Sequence, residues 1–127
     1  MKKLMNKKGF TLMEMLIVVA IIVILVAIAI PTFSSSLDDA KAATDAANLR
    51  GAKGIAEVAD MTADGWSKIV GAEYDATKDY TLYYDIEAGE ITTEKPEGYG
   101  QSADNKGEVI VIKISKDALV DDYPKFE

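Results

Sequence analysis

The sequence predicts an α+β fold: one long N-terminal helix, membrane-spanning in its first half and amphipathic in its second, packed on a small antiparallel sheet of about three strands. Three observations predict it. Sixteen consecutive residues, Met15 to Ile30, carry no polar side chain. Beyond them, from Leu37 to Val58, apolar residues recur at helical spacing. From Asp79 onward the period falls to two, as in strands. A chain of 127 residues holds one such domain and little more.

Charge divides at the same place as hydropathy. All four lysines of the first nine residues (Lys2, Lys3, Lys7, Lys8) precede the apolar run. Past Gly9 the chain has 10 basic and 21 acidic residues. So acidic a body is poorly suited to phosphate backbones, whose affinity comes from Lys and Arg, and to anionic lipid surfaces. There is no cysteine and no histidine. Disulfides are excluded, and the usual transition-metal ligands and the commonest general base are missing. A catalytic site could still be built from carboxylates, Lys or Tyr, but no motif points to one; no cofactor is indicated, and the chain reads as a non-enzyme.

The first element runs from Phe10 to Phe33. A helix of that length spans roughly 36 Å, enough to cross a bilayer. Twelve of the residues from Met15 to Ile30 are Leu, Ile or Val, contributing on the order of −6 kcal/mol to insertion. Glu14 costs at most ~3 kcal/mol and sits near the end of the run, so insertion wins. Ten of the sixteen are β-branched, which in water favours a strand. In lipid a lone strand leaves its backbone unpaired, and the helix wins. The lysines before the run and the acid after it predict a cytoplasmic N-terminus with the body outside. The run is too long for a secretory signal and no A-x-A-like site follows it directly, so the segment reads as a retained anchor.

The helix is expected to continue, spanning roughly 11–60 with a bend at Pro31, where one backbone hydrogen bond is lost. Leu37, Ala40, Ala47, Gly51, Ile55 and Val58 define one face, the side expected against the sheet. Asp38, Lys41, Asp45, Lys53 and Glu57 are assigned to the solvated side. Ser34–Ser36 suit a linker or a cap, but the pattern on both sides favours an unbroken helix. Gly51 and Gly54 are read as points of close packing on the sheet.

Residues 61–76 read as a loop with a helical turn around Trp66 to Val70, with Trp66 in the core or at its rim rather than in a sugar-stacking site. DYTLYYDI, EITTEK and EVIVIKIS are the three strands. In the last, Ile110, Ile112 and Ile114 face the helix. PEGYGQSADNKG is a loop, and the tail KDALVDDYPKFE is expected to begin with a helical turn and end loosely. The oxygen-rich DNKGE and VDDY do not match the EF-hand spacing and read as solvated acidic surface. The six tyrosines show no order that would stack them, and there is neither an N-x-[ST] sequon nor an LPxTG motif.

The stretch KKGFTLMEMLIVVAIIVILVAIAIP resembles the N-terminus of a type IV pilin. That family's signature is a basic leader ending in glycine, then an aromatic residue, then a glutamate five residues after the glycine, then a long apolar helix interrupted by proline. Gly9, Phe10, Glu14 and Pro31 match all four parts. Thr11 and Leu12 are common choices there. The resemblance covers about a quarter of the chain, with a leader at 1–9, a membrane and filament-core helix at 10–33 and an extracellular head at 34–127.

The resemblance implies that a prepilin peptidase cuts between Gly9 and Phe10 and methylates the new amine of Phe10. It implies that Glu14 pairs with that amine on a neighbouring subunit, a register device because an unpaired buried carboxylate is costly. Near Pro31 it implies a stretch that unwinds in the filament. The partners implied are further copies of the chain, the peptidase, an assembly platform with its motor, and the membrane before assembly; no nucleic-acid site is evident. The localisation implied is the cytoplasmic membrane first and a surface pilus afterwards. Many family members close the head with a disulfide, whereas this chain has no cysteine. Cysteine-free heads are similar to those of some Gram-positive pilins. Two other readings stand beside the filament subunit. One is a pseudopilin of a type II secretion or DNA-uptake system, which shares every N-terminal feature. The other is a membrane-anchored binding domain that does not assemble, which leaves Gly9-Phe10 and Glu14 unexplained.

Overall fold

The computed structural model describes residues 9–127. Most of the expected leader, including its four lysines, lies outside the described residues. The chain divides into an N-terminal unit ending at Leu37 and a head from Asp38 to Glu127. Helix α1, Leu12–Met61, contributes to both.

In the N-terminal unit α1 keeps its helical form through Pro31. Proline brings no N–H, so one carbonyl of the preceding turn loses its partner. The hydroxyls that follow bond backward: Thr32 Oγ1 donates to the Ile28 carbonyl at 3.3 Å and Ser36 Oγ to that of Thr32 at 3.1 Å. The serines are thus mid-helix residues, neither linker nor cap.

The head places the last part of α1 on an antiparallel sheet. Its strands are β1 (Asp79–Asp85), β2 (Glu90–Thr92), β3 (Ile110–Ser115), β4 (Ala118–Leu119) and β5 (Lys125–Phe126). The order is β2-β1-β3-β4, with β5 also on β3. Leu82 lies opposite Ile112 and Tyr80 opposite Ile114, so the alternate residues of β1 and β3 share one face. That face meets Ala52, Ala56 and Ala59 of α1, and Trp66 of the short helix α2, Gly65–Val70, closes the core. Leu82, Ile110, Ile112 and Ile114 are at most 1 % exposed; each contributes about 2 kcal/mol by leaving water.

The expected architecture is present, and three details differ. The sheet has five strands rather than about three, because the tail is neither helical nor loose. After β3 the chain reverses at Lys116 and Asp117, both with positive φ (50° and 66°), and Ser115 pairs with Ala118. This is the two-residue primed turn that matches strand twist, made here without the usual Asn-Gly. At the far end Val109 and Glu127 exchange both backbone hydrogen bonds, at 3.0 and 2.9 Å. Lys113 and Lys125 lie over the Tyr123 ring, 4.9 and 4.6 Å from its centroid.

The helix face is the second correction. Ile55, Val58 and Met61 are 37, 63 and 80 % exposed, while Asp45, assigned to the solvated side, is 1 % exposed. The sheet takes the alanine stripe because small side chains let a helix axis approach closely. Bulky apolar residues on that stripe would hold the two layers apart. The third detail concerns the glycines. A Cβ on Gly51 would meet the Tyr84 hydroxyl at 3.3 Å, so close packing holds there. Gly54 faces open space, so it does not hold there.

Candidate functional site

Two places in the molecule ask for a functional account: the exposed apolar helix with its acidic start, and a buried carboxylate in the head.

From Phe10 to Phe33 the large apolar side chains are between 46 and 82 % exposed. Among the described residues this is the one stretch of helix long and apolar enough to cross a membrane. Water does not tolerate an apolar surface of this extent on an isolated chain. Lipid or other apolar helices must cover it. At its start Thr11 and Glu14 form a reciprocal cap. The Thr11 N–H donates to Glu14 Oε2 at 3.0 Å, and the Glu14 N–H donates to Thr11 Oγ1 at 3.1 Å. Two donors that a helix start leaves unpaired are satisfied this way. Glu14 Oε1 is outside this cap, so half of the carboxylate remains for another partner. Gly9 and Phe10 precede the helix as exposed residues outside regular structure, and Pro31 lies within it.

Asp45 is the feature that the periodicity did not reveal. Its Oδ1 accepts the Gln101 N–H at 2.7 Å; its Oδ2 accepts the Ser102 N–H at 2.7 Å and the Asn105 amide at 3.2 Å. Burial pushes this carboxyl up, but the hydrogen bonds from Gln101, Ser102 and Asn105 together outweigh it and hold the group below its ordinary value. The clamp fastens the loop between β2 and β3 to α1. Gly100 lets the loop turn beneath it: a Cβ there would lie 2.4 Å from the Asn105 carbonyl oxygen. The signal in the sequence was a lone Asp in an alanine-rich stretch opposite a Ser/Asn loop, but spacing along one helix does not show a partner nearly sixty residues away.

A second carboxylate ties the other end of the head. Asp60 Oδ1 accepts the Trp66 indole N–H at 3.1 Å and the Leu119 N–H at 2.7 Å. Trp66 is therefore a core residue, 2 % exposed, with no face open to a sugar. Of the tyrosines, Tyr74 and Tyr80 stack with centroids 5.4 Å apart, one ordered pair where none was expected. The Tyr74 hydroxyl donates to Asp117. Burial and the neighbouring Asp117 carboxylate push the phenol up to about 12. Among the described residues no three His, Cys, Asp or Glu side chains gather as they would around a metal ion.

The molecule is thus, by class, an α+β protein with an exposed apolar N-terminal helix long enough to cross a membrane. Comparison with known proteins sharpens this: residues 4–30 match the family model described as the prokaryotic N-terminal methylation motif. The match takes in a part of the chain only; the motif is that of the class III leader of type IV pilins and prepilins, and it supports a type IV pilin-like or pseudopilin protein. The motif belongs to structural subunits, not to an enzyme family. No curated protein and no solved structure matches the chain.

Proposed function

We propose that the chain is a structural subunit of a type IV pilus, polymerising through its N-terminal helix into a surface filament that serves adhesion, motility or biofilm formation. The observation that carries this reading is the methylation motif running directly into a wholly exposed apolar helix with a single carboxylate at its start. Residues 1–9 form the leader, 10–33 the membrane and filament-core segment, and 34–127 the extracellular head. Cleavage falls between Gly9 and Phe10, and the freed amine of Phe10 is methylated. A glycine before the bond admits the peptidase closely to the backbone.

Glu14 then serves assembly. Its free oxygen accepts the Phe10 amine of a neighbouring copy, and a subunit one step out of register leaves both charges unpaired in an apolar bundle. Pro31 supplies a kink and the place where the helix yields under tension. Before assembly the helix spans the cytoplasmic membrane with its N-terminus inside. Partners are other copies, the prepilin peptidase, and the assembly platform with its motor. The pseudopilin reading shares all of these steps and differs in the length and place of the rod.

The test is the mass and N-terminal sequence of the main protein in filaments sheared from intact cells. A chain starting at methylated Phe10 in long filaments is the expected result. Processed chain confined to the membrane moves the reading to a pseudopilin, and an uncut chain starting at Met1 overturns both.

A further inference from the structure

The head carries two exposed surface features. The first is a knob. Beyond α1, among the described residues, Tyr99 is the one large apolar side chain left exposed, at 44 %. It stands on a fixed backbone. Its carbonyl accepts the Gln101 side-chain amide at 3.1 Å, the Gly100 N–H donates to the Glu108 carbonyl at 2.9 Å, and Asp45 holds Gln101 and Ser102 from below. An aromatic ring presented from a rigid loop loses little freedom on docking. Glu97, two residues earlier, is exposed beside it.

The second is a groove of about 370 Å³ between α1 and the segment before β5. Leu49, Arg50 and Lys53 form one wall, and Asp121, Asp122 and Pro124 the other. Arg50 is the sole arginine of the chain. It is exposed and makes no ion pair among the described residues, although nearby Lys53 reaches Glu57 at 3.9 Å. A planar guanidinium pairs with carboxylates and stacks on aromatic rings, and Tyr and Arg are the side chains on which protein interfaces most often depend.

We propose that the groove of one copy receives the Tyr99 loop of the next. The ring lies against Leu49 and the Arg50 guanidinium. Glu97 pairs with Arg50, and the phenol O–H donates to the Asp121 or Asp122 carboxylate. Knob and groove share no residue, so a one-way contact leaves each copy a free knob or groove and propagates, whereas a reciprocal pair stops at the dimer; the filament reading requires the first. The inference rests on the filament reading above and adds to it a head-to-head contact separate from the apolar helix.

The absence of cysteine makes a direct test available. In cells expressing the full chain, the double variant Lys53→Cys with Gly98→Cys, which keeps Leu49, Arg50, Glu97 and the Tyr99 ring, is expected to give, on treatment of its filaments with a short bis-maleimide, a ladder of dimers, trimers and longer covalent chains. Each single variant is expected to give no ladder. Arg50→Glu is expected to lower filament yield at least tenfold, and Glu97→Arg in that background to restore it. Filaments of normal yield without a ladder would overturn this contact and leave the filament reading standing. Failure of the charge swap to restore assembly would also overturn it. Absence of filaments from the unaltered chain would remove both.

Discussion

The two halves of α1 use side-chain size in opposite ways. Before Phe33 the helix shows bulky residues on every side and buries none of them. Beyond Asp45 it buries alanines, with Leu49 half-buried beside them, and turns Ile55, Val58 and Met61 outward. One element therefore answers two different solvents. In the first half bulk is useful because lipid or other helices take it from any direction. In the second half the sheet is the partner, and closeness matters more than area. Reading the apolar pattern as though bulk always pointed inward misplaces the head half by part of a turn.

Substitutions at matched positions sharpen this contrast. The largest effect is expected in the first half: Glu14→Val makes the helix more apolar, leaves insertion intact, and abolishes filaments in a shearing assay. Normal filaments from this variant would remove the pairing role of Glu14. In the second half Asp45→Ala should lower head stability by about 3 kcal/mol, read by thermal unfolding of the full chain in detergent. Its loss leaves the Ser102 N–H without an acceptor in a buried place, and the Gln101 N–H and Asn105 amide in partly buried ones.

Ala56→Leu should cost about 1–3 kcal/mol by overpacking the alanine stripe, while Val58→Leu, one turn face away, should change stability by less than about 0.5 kcal/mol. Equal effects from these two would mean that the face is wrongly assigned. Acid tests the Asp45 clamp without mutation. Its carboxyl is held below the ordinary 3.8, so its contribution is present above that value and is lost as pH falls through the lower folded-state value. The acid midpoint should rise in Asp45→Asn. Smallest is the alkaline limb. Tyr74, raised from 10.0 to about 12, contributes fully below pH 10 and loses that contribution as pH rises through about 12; Tyr74→Phe should flatten this loss in an alkaline unfolding titration.

Much of the fold was legible in the sequence because the strongest signals are local. A sixteen-residue apolar run, a period-two stretch such as Glu108 to Ser115 and a tryptophan in a short amphipathic turn each carry their own meaning. The helix face was misread because Ala52, Ala56 and Ala59 differ from their neighbours only in size, and their reason for being small lies on another element. The short strands of the tail escaped notice because Lys116-Asp117 is not a usual primed-turn pair, and Asp117 is held by a tyrosine more than forty residues upstream. Asp45 was hidden by the same kind of distance. The N-terminal motif, matched at residues 4–30, was legible for the opposite reason: its residues follow one another along the chain.

The clamp at Asp45 has a consequence for where the head can mature. A loop fastened by sulfur requires an oxidant and an oxidoreductase, and it opens where thiols are abundant. A loop fastened by a carboxylate and three N–H donors asks only that the carboxylate be ionised. The head of this protein can therefore hold that loop closed in surroundings without oxygen and without an oxidoreductase.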